Sequence, residues 1–200
     1  DNAPASVGLP VPGVEVKLGE SNALLIRGPN VMMGYWNNPA ATAAIISSDG
    51  WLNSGDIASI DAQGHVTITG RLKEIIVLST GEKIPPADME AAILRDPLFE
   101  QAMLIGEARS YLSVMVVLNT AHWQNVVSQY GLDASLNTDQ QRQQVEEILL
   151  DKITEQTSEF PGYAKIRRVA LIQEPWNVEN GLLTPTLKLK RAKVLEKYVR

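Results

Sequence analysis

Between residues 14 and 69 apolar positions come in short bursts, at 14–18 (VEVKL), 23–27 (ALLIR), 57–61 (IASID) and 65–69 (HVTIT), separated by Gly, Pro, Asn and Asp. Period-two and β-branched runs of this length predict strands with one face on a core and the other in water. This part of the chain is therefore expected to be mostly β. The last two runs flank Ala62-Gln63-Gly64, whose glycine can take the positive φ of a tight turn, so they are expected to pair as a hairpin. Between the second and third runs, Asn38-Pro39 precedes AATAAII. A capping asparagine, a proline at the first helical position and good helix formers predict one short helix.

From residue 74 the period changes. Continuous apolar runs at 74–78 (EIIVL), 101–106 (QAMLIG), 112–118 (LSVMVVL) and 168–172 (RVALI) are strand candidates, with helices between them. The clearest helix is 138–159, where Thr138 and Gln141 form a capping-box pattern and Val145, Ile148, Leu149 and Ile153 recur on one face. Residues 86–95 and 120–130 predict shorter helices and 190–199 a terminal one. The expected fold class is α+β: a β-rich portion over 1–72 and a small α/β domain over 73–200, with the boundary near Gly70-Arg71.

Composition narrows the function classes. Two hundred residues at 44% hydrophobic content suffice to bury a sizeable core. A net charge of −5 argues against a nucleic-acid partner, which needs a basic face. The chain has no cysteine, which excludes thiol catalysis and thiolate metal sites and fits a reducing, cytoplasmic compartment. His65 and His122 are widely separated, so no His-rich metal site is expected. No apolar run is long enough to span a bilayer, which leaves only peripheral membrane contact open. The first residues, DNAPASVGLPVPG, lack a Met and a signal-peptide pattern, as expected of a segment of a longer protein.

Three stretches carry more than propensity. In 50–56 (GWLNSGD), Asp56 follows a Gly-containing turn at an expected strand start, where its two oxygens could accept from both hydroxyls of a ribose; a plain turn cap is the alternative. In 70–86 (GRLKEIIVLSTGEKIPP), Arg71 and Lys73 sit on the expected boundary, where a hinge rotation would be absorbed; the alternative is a solvated linker. In 180–191 (NGLLTPTLKLKR), a Gly/Thr/Pro loop stiffened by Pro185 presents Lys188 before a helix, suited to neutralising an anion; the alternative is a basic tail without a task.

Together, in that order and spacing, and with 26–42 (IRGPNVMMGYWNNPAAT) upstream, the three stretches resemble the adenylate-forming superfamily of acyl- and aryl-CoA synthetases, peptide-synthetase adenylation domains and firefly luciferase. The resemblance covers essentially the whole chain. Its LLTPTLKLKR ending, where many relatives have Gly-Lys, is most similar to the long-chain fatty acyl-CoA synthetases.

The resemblance implies that Asp56 accepts from the ribose of ATP, that Arg71 donates to the same ribose or the phosphates, and that Lys73 is a hinge for a mobile C-terminal lid. Lys188 would contact the acyl carboxylate and the α-phosphate, with Lys190 as runner-up because two lysines stand in near-equivalent places. Gly81 would face the pantetheine tunnel during thioester formation, where a side chain would crowd it. The implied substrates are a fatty acid or other carboxylate, ATP and CoA, giving acyl-AMP, then acyl-CoA and AMP. Mg²⁺ would be held mostly outside these residues. The superfamily's phosphate loop and adenine-flanking aromatic motif do not occur in the 200 residues, so the chain alone is expected to be inactive. Two alternatives remain: an enzyme that loads a carrier protein instead of CoA, and a non-catalytic nucleotide- or protein-binding module.

Overall fold

The structure is a computed structural model that describes residues 6–132 and 138–199. The chain divides into two compact units, Asp1–Ile75 and Ile76–Arg200.

In the first unit β1 (Glu15–Leu18), β2 (Ala23–Arg27), β3 (Leu52–Ile60) and β4 (Val66–Arg71) form an antiparallel sheet in that order. Leu24, Ala58 and Val66 are its buried centre, with Val16, Ile26 and Ile60 packed around them. The predicted hairpin forms, and Asp61 stabilises its turn. Asp61 Oδ1 accepts from the backbone N–H of Gln63 at 2.9 Å and of His65 at 2.8 Å, while Oδ2 lies 3.0 Å from His65 Nδ1. The hydrogen bond from the His65 backbone leads in holding the Asp61 carboxyl below its ordinary range. The short helix α1 (Pro39–Ile45) is capped by Asn38, whose side chain accepts from Ala41 N–H at 3.0 Å.

Strand β3 starts at Leu52, five residues earlier than the alternation suggests, so Asp56 lies inside a strand and not at its start. Gly55 makes this possible. With φ at +79°, it bulges the strand between the pairs Leu25↔Asn53 and Ala23↔Ile57. Side chains of the same stretch satisfy the displaced backbone: Gly55 N–H donates to Asn53 Oδ1 at 2.9 Å and Asp56 N–H to Ser54 Oγ at 3.1 Å.

The second unit is built on a three-stranded sheet ordered β7 (Phe99–Ile105), β8 (Leu112–Leu118), β9 (Ile166–Ile172). β7 and β8 pair antiparallel, β8 and β9 parallel. The parallel step needs a crossover, which α3 (Thr120–Tyr130) and α4 (Asp139–Gln156) supply. Asn119 caps α3, and Thr138 and Gln141 close the capping box of α4.

The sheet is covered on both faces, which explains why 102–105 of β7 and 114–118 of β8 are apolar without alternation. Leu104, Val114 and Val116 pack with Met89 and Ile93 of α2 (Pro86–Ile93) and with Val145, Leu149 and Ile153 of α4. Met103, Met115 and Val117 on the other face pack with Trp176, Leu182, Leu183 and Val194, the last from α5 (Arg191–Tyr198).

The run at 74–78 becomes two shorter pieces: a 3-10 turn over Leu72–Glu74, then β5 (Ile76–Val77), which pairs with β6 (Lys83–Ile84). Pro85, which has no N–H to donate, follows β6, so the ladder ends after two pairs. The fold class is α+β.

Candidate functional site

Asp56 and Arg71 face each other on β3 and β4 as a registered pair. Arg71 Nε lies 3.2 Å from Asp56 Oδ1, with side-chain exposures of 61% and 25%. One carboxylate oxygen is thus matched to a cation, and the side chains remain open to solvent. A carboxylate accepts from vicinal hydroxyls and a guanidinium donates through a planar fork, so the pair suits a ribose or a phosphate ester.

Lys73 is exposed in the turn Leu72–Glu74, and its ammonium has no hydrogen bond or ion pair among the described residues. Gly81 is at the turn between β5 and β6. Its φ is +94°, and its N–H donates to Leu78 O at 2.9 Å. A Cβ built there would meet nothing within 4 Å, so within this unit the glycine answers a backbone requirement and not a packing one.

The loop carrying Lys188 is a small hairpin. Leu187 N–H donates to Thr184 O at 2.8 Å, closing a turn with Pro185 at its second position. Thr184 N–H then donates to Lys188 O at 2.8 Å, and Lys188 N–H donates to Thr184 Oγ1 at 3.0 Å. Between the turn and this pairing, Leu187 is left-handed with φ at +60°. That is the residue a three-residue hairpin loop places left-handed, ordinarily glycine. The departure from the Gly-Lys pattern is therefore conformational as well as chemical, because leucine adopts the same geometry at a cost of about 1–2 kcal/mol. The Leu187 side chain is 71% exposed and borders an open, largely apolar depression of about 780 Å³ with Trp176, Val178 and Leu183.

Lys188 is exposed on this loop, and its ammonium engages no partner among the described residues. Lys190 is half-buried and occupies the cap position of α5. A helix start disfavours a cation, and Lys190 stands at the cap itself.

One contact at the end of the loop leaves no mark in the local sequence pattern. Arg191, at the start of α5, donates to Glu90 Oε1 at 2.6 Å and to Leu104 O at 2.7 Å, while Leu104 N–H donates to the same Glu90 oxygen at 2.7 Å. The basic run hides Arg191 among other cations, and its partner lies about a hundred positions upstream. The available signal is an acidic residue beside Met89, Ala92 and Ile93 on the buried side of α2.

Among the described residues no group of three or more His, Asp or Glu side chains converges to hold a metal ion. None of the described helices is long and apolar enough to cross a membrane.

Residues 73–200 match the AMP-binding enzyme C-terminal domain, and the chain belongs to that family. Long-chain-fatty-acid–CoA ligase FadD15 of Mycobacterium tuberculosis is 32% identical over 96% of this chain and 32% of its own length. Long-chain-fatty-acid–[acyl-carrier-protein] ligase AEE15 of Arabidopsis thaliana is 30% identical over 98% of this chain and 28% of its own. The adenylation domain of a carboxylic acid reductase from Segniliparus rugosus, solved with AMP and a co-purified carboxylic acid, superposes with a TM-score of 0.74 at 25% identity, over 95% of this chain and 30% of that one. The chain thus spans about a third of the length of these relatives, two of them named as long-chain-fatty-acid ligases and one as a carboxylic acid reductase.

Proposed function

We propose that this chain is the hinge- and lysine-bearing part of an ATP-dependent fatty acyl-CoA synthetase, with activity residing in the full-length parent and not in these 200 residues alone. The observation that carries the reading is the exposed, unpartnered Lys188 ammonium on a hydrogen-bonded hairpin, in a chain of this family.

The first step is attack of the fatty acid carboxylate on the α-phosphorus of ATP, which gives acyl-AMP and pyrophosphate. Negative charge grows on the α-phosphoryl oxygens, and the Lys188 ammonium offsets it. Lys190 stands second, being half-buried at a helix cap. Asp56 accepts from the ribose hydroxyls, and Arg71 orients that carboxylate and donates to the ribose or phosphates. In the second step the CoA thiol attacks the acyl carbon and AMP leaves. Lys188 must withdraw for the thiol to enter, and a mobile lid of residues 73–200 turning at Lys73 accomplishes this. Gly81 then lines the pantetheine path. The absence of cysteine supports a cytoplasmic setting.

A carrier-protein acceptor is the second reading, favoured by the near-equal identities to FadD15 and AEE15. Free CoA and a phosphopantetheinylated carrier, offered in turn to the parent enzyme, separate the two.

Two variants of the parent test the nucleotide and hinge roles. Asp56→Asn removes a charged acceptor, a contact of about 1.5–3 kcal/mol. The Michaelis constant for ATP should therefore rise roughly tenfold or more, and an unchanged constant excludes Asp56 from the ribose. Lys73→Pro biases Leu72, now in a 3-10 turn, toward extended geometry and fixes the backbone at the hinge. Acyl transfer to CoA should slow more than acyl-AMP formation, and unchanged transfer kinetics would remove Lys73 as hinge.

A further inference from the structure

Two side chains of the same 180–191 stretch bracket Lys188. On its N-terminal side Thr184 makes three of the contacts that close the hairpin: its N–H to Lys188 O at 2.8 Å, its carbonyl from Leu187 N–H at 2.8 Å, and its hydroxyl from Lys188 N–H at 3.0 Å. The hydroxyl is also 3.0 Å from that of Thr186. On the C-terminal side Lys190 N–H donates to Leu182 O at 2.9 Å. Arg191 then spans to Glu90 and to the Leu104 carbonyl at 2.6 and 2.7 Å, with Arg191 18% and Glu90 16% exposed.

The physical need for such a bracket is visible at Leu187. Its left-handed φ of +60° is strained for a bulky residue, and a strained residue persists only where its surroundings over-determine it. The Thr184 hydroxyl is the side-chain bond that holds the following residue in register. Without it the Lys188 N–H loses its partner and Leu187 can leave the left-handed region. Lys188 would then start from a displaced backbone, and its four-carbon stem would bring the ammonium elsewhere.

We infer that Thr184 and Arg191 are positioning residues for the adenylation step: they act through the Lys188 backbone and not on the substrates. The inference rests on the reading of Lys188 as the adenylation lysine. A displacement of about 1 Å in a reacting group costs on the order of a hundredfold in rate, so a partial displacement is visible in kinetics while the fold stays intact.

The test uses the full-length parent enzyme, with ATP–pyrophosphate exchange for the first half-reaction, CoA acylation from supplied acyl-AMP for the second, and thermal melting alongside. Thr184→Val should lower the exchange kcat by roughly tenfold or more at little change in KM, with acyl transfer and melting unchanged. Thr184→Ser, which keeps the hydroxyl, should restore exchange. Arg191→Gln should also lower exchange, but it removes the cation facing a half-buried carboxylate and costs stability, so Thr184 carries the decision.

Wild-type exchange in Thr184→Val, equal loss of both half-reactions, or no rescue by serine each overturns the inference. Lys188→Ala runs as the reference. If it leaves exchange intact, the lysine reading itself falls; if it abolishes exchange while Thr184→Val is normal, only the positioning claim does.

Discussion

Lys188→Ala in the full-length parent should reduce ATP–pyrophosphate exchange by about 10²–10³-fold, the loss typical of removing one preorganised donor from a developing oxyanion, about 2.7–4 kcal/mol. The magnitude follows from where the charge sits. The ammonium is exposed and unpartnered on its loop, so it spends nothing on an internal ion pair and is free to meet an anion. The loop beneath it is closed by the Thr184 contacts, so little of the interaction is lost to ordering the backbone. Lys190→Ala is the internal comparison, with an expected change of no more than a few-fold. A loss under about tenfold for Lys188, or a larger loss for Lys190, would reassign the role.

Ile153→Ala should produce the largest loss of stability among single substitutions considered. Ile153 is fully buried, on the face of α4 that it shares with Val145 and Leu149 and that packs with Leu104 and Met89. Truncation removes the transfer energy of the lost carbons and leaves a cavity between helix and sheet, together about 2–5 kcal/mol. Domains of this size are stable by only about 5–15 kcal/mol. The melting temperature should fall by roughly ten degrees or more. Gln144→Ala, on the exposed side of the same helix, should change stability by no more than about 0.5 kcal/mol. Equal shifts for the two would mean that α4 is not packed on the sheet as described.

The elements with strong local rules were the most legible. The capping box at Thr138 and Gln141, the asparagine cap before Pro39 and the continuous apolar run at 112–118 each formed where expected. Asp56 was misplaced for a physical reason. Alternation is lost across a bulge, so the pattern predicts a strand start after Gly55 although the strand runs through it. The run at 74–78 predicts one strand because periodicity does not show where a partner ends, and Pro85 ends the pairing early.

The family-specific site was legible only through resemblance, since composition and spacing left Asp56, Lys73 and Lys188 each with a plainer explanation. The Glu90–Arg191 contact was not legible at all, because a pair that far apart exists only once α2, β7 and α5 are packed. The left-handed Leu187 was equally hidden, because local propensity disfavours it and the surrounding hydrogen bonds impose it.

The central claim is that the lysine serves one half of a two-step reaction and must then move away. CoA acylation from supplied acyl-AMP, measured in full-length Lys188→Ala, tests it most directly: the account predicts transfer at the wild-type rate, and a loss of transfer equal to the loss of adenylation would contradict it.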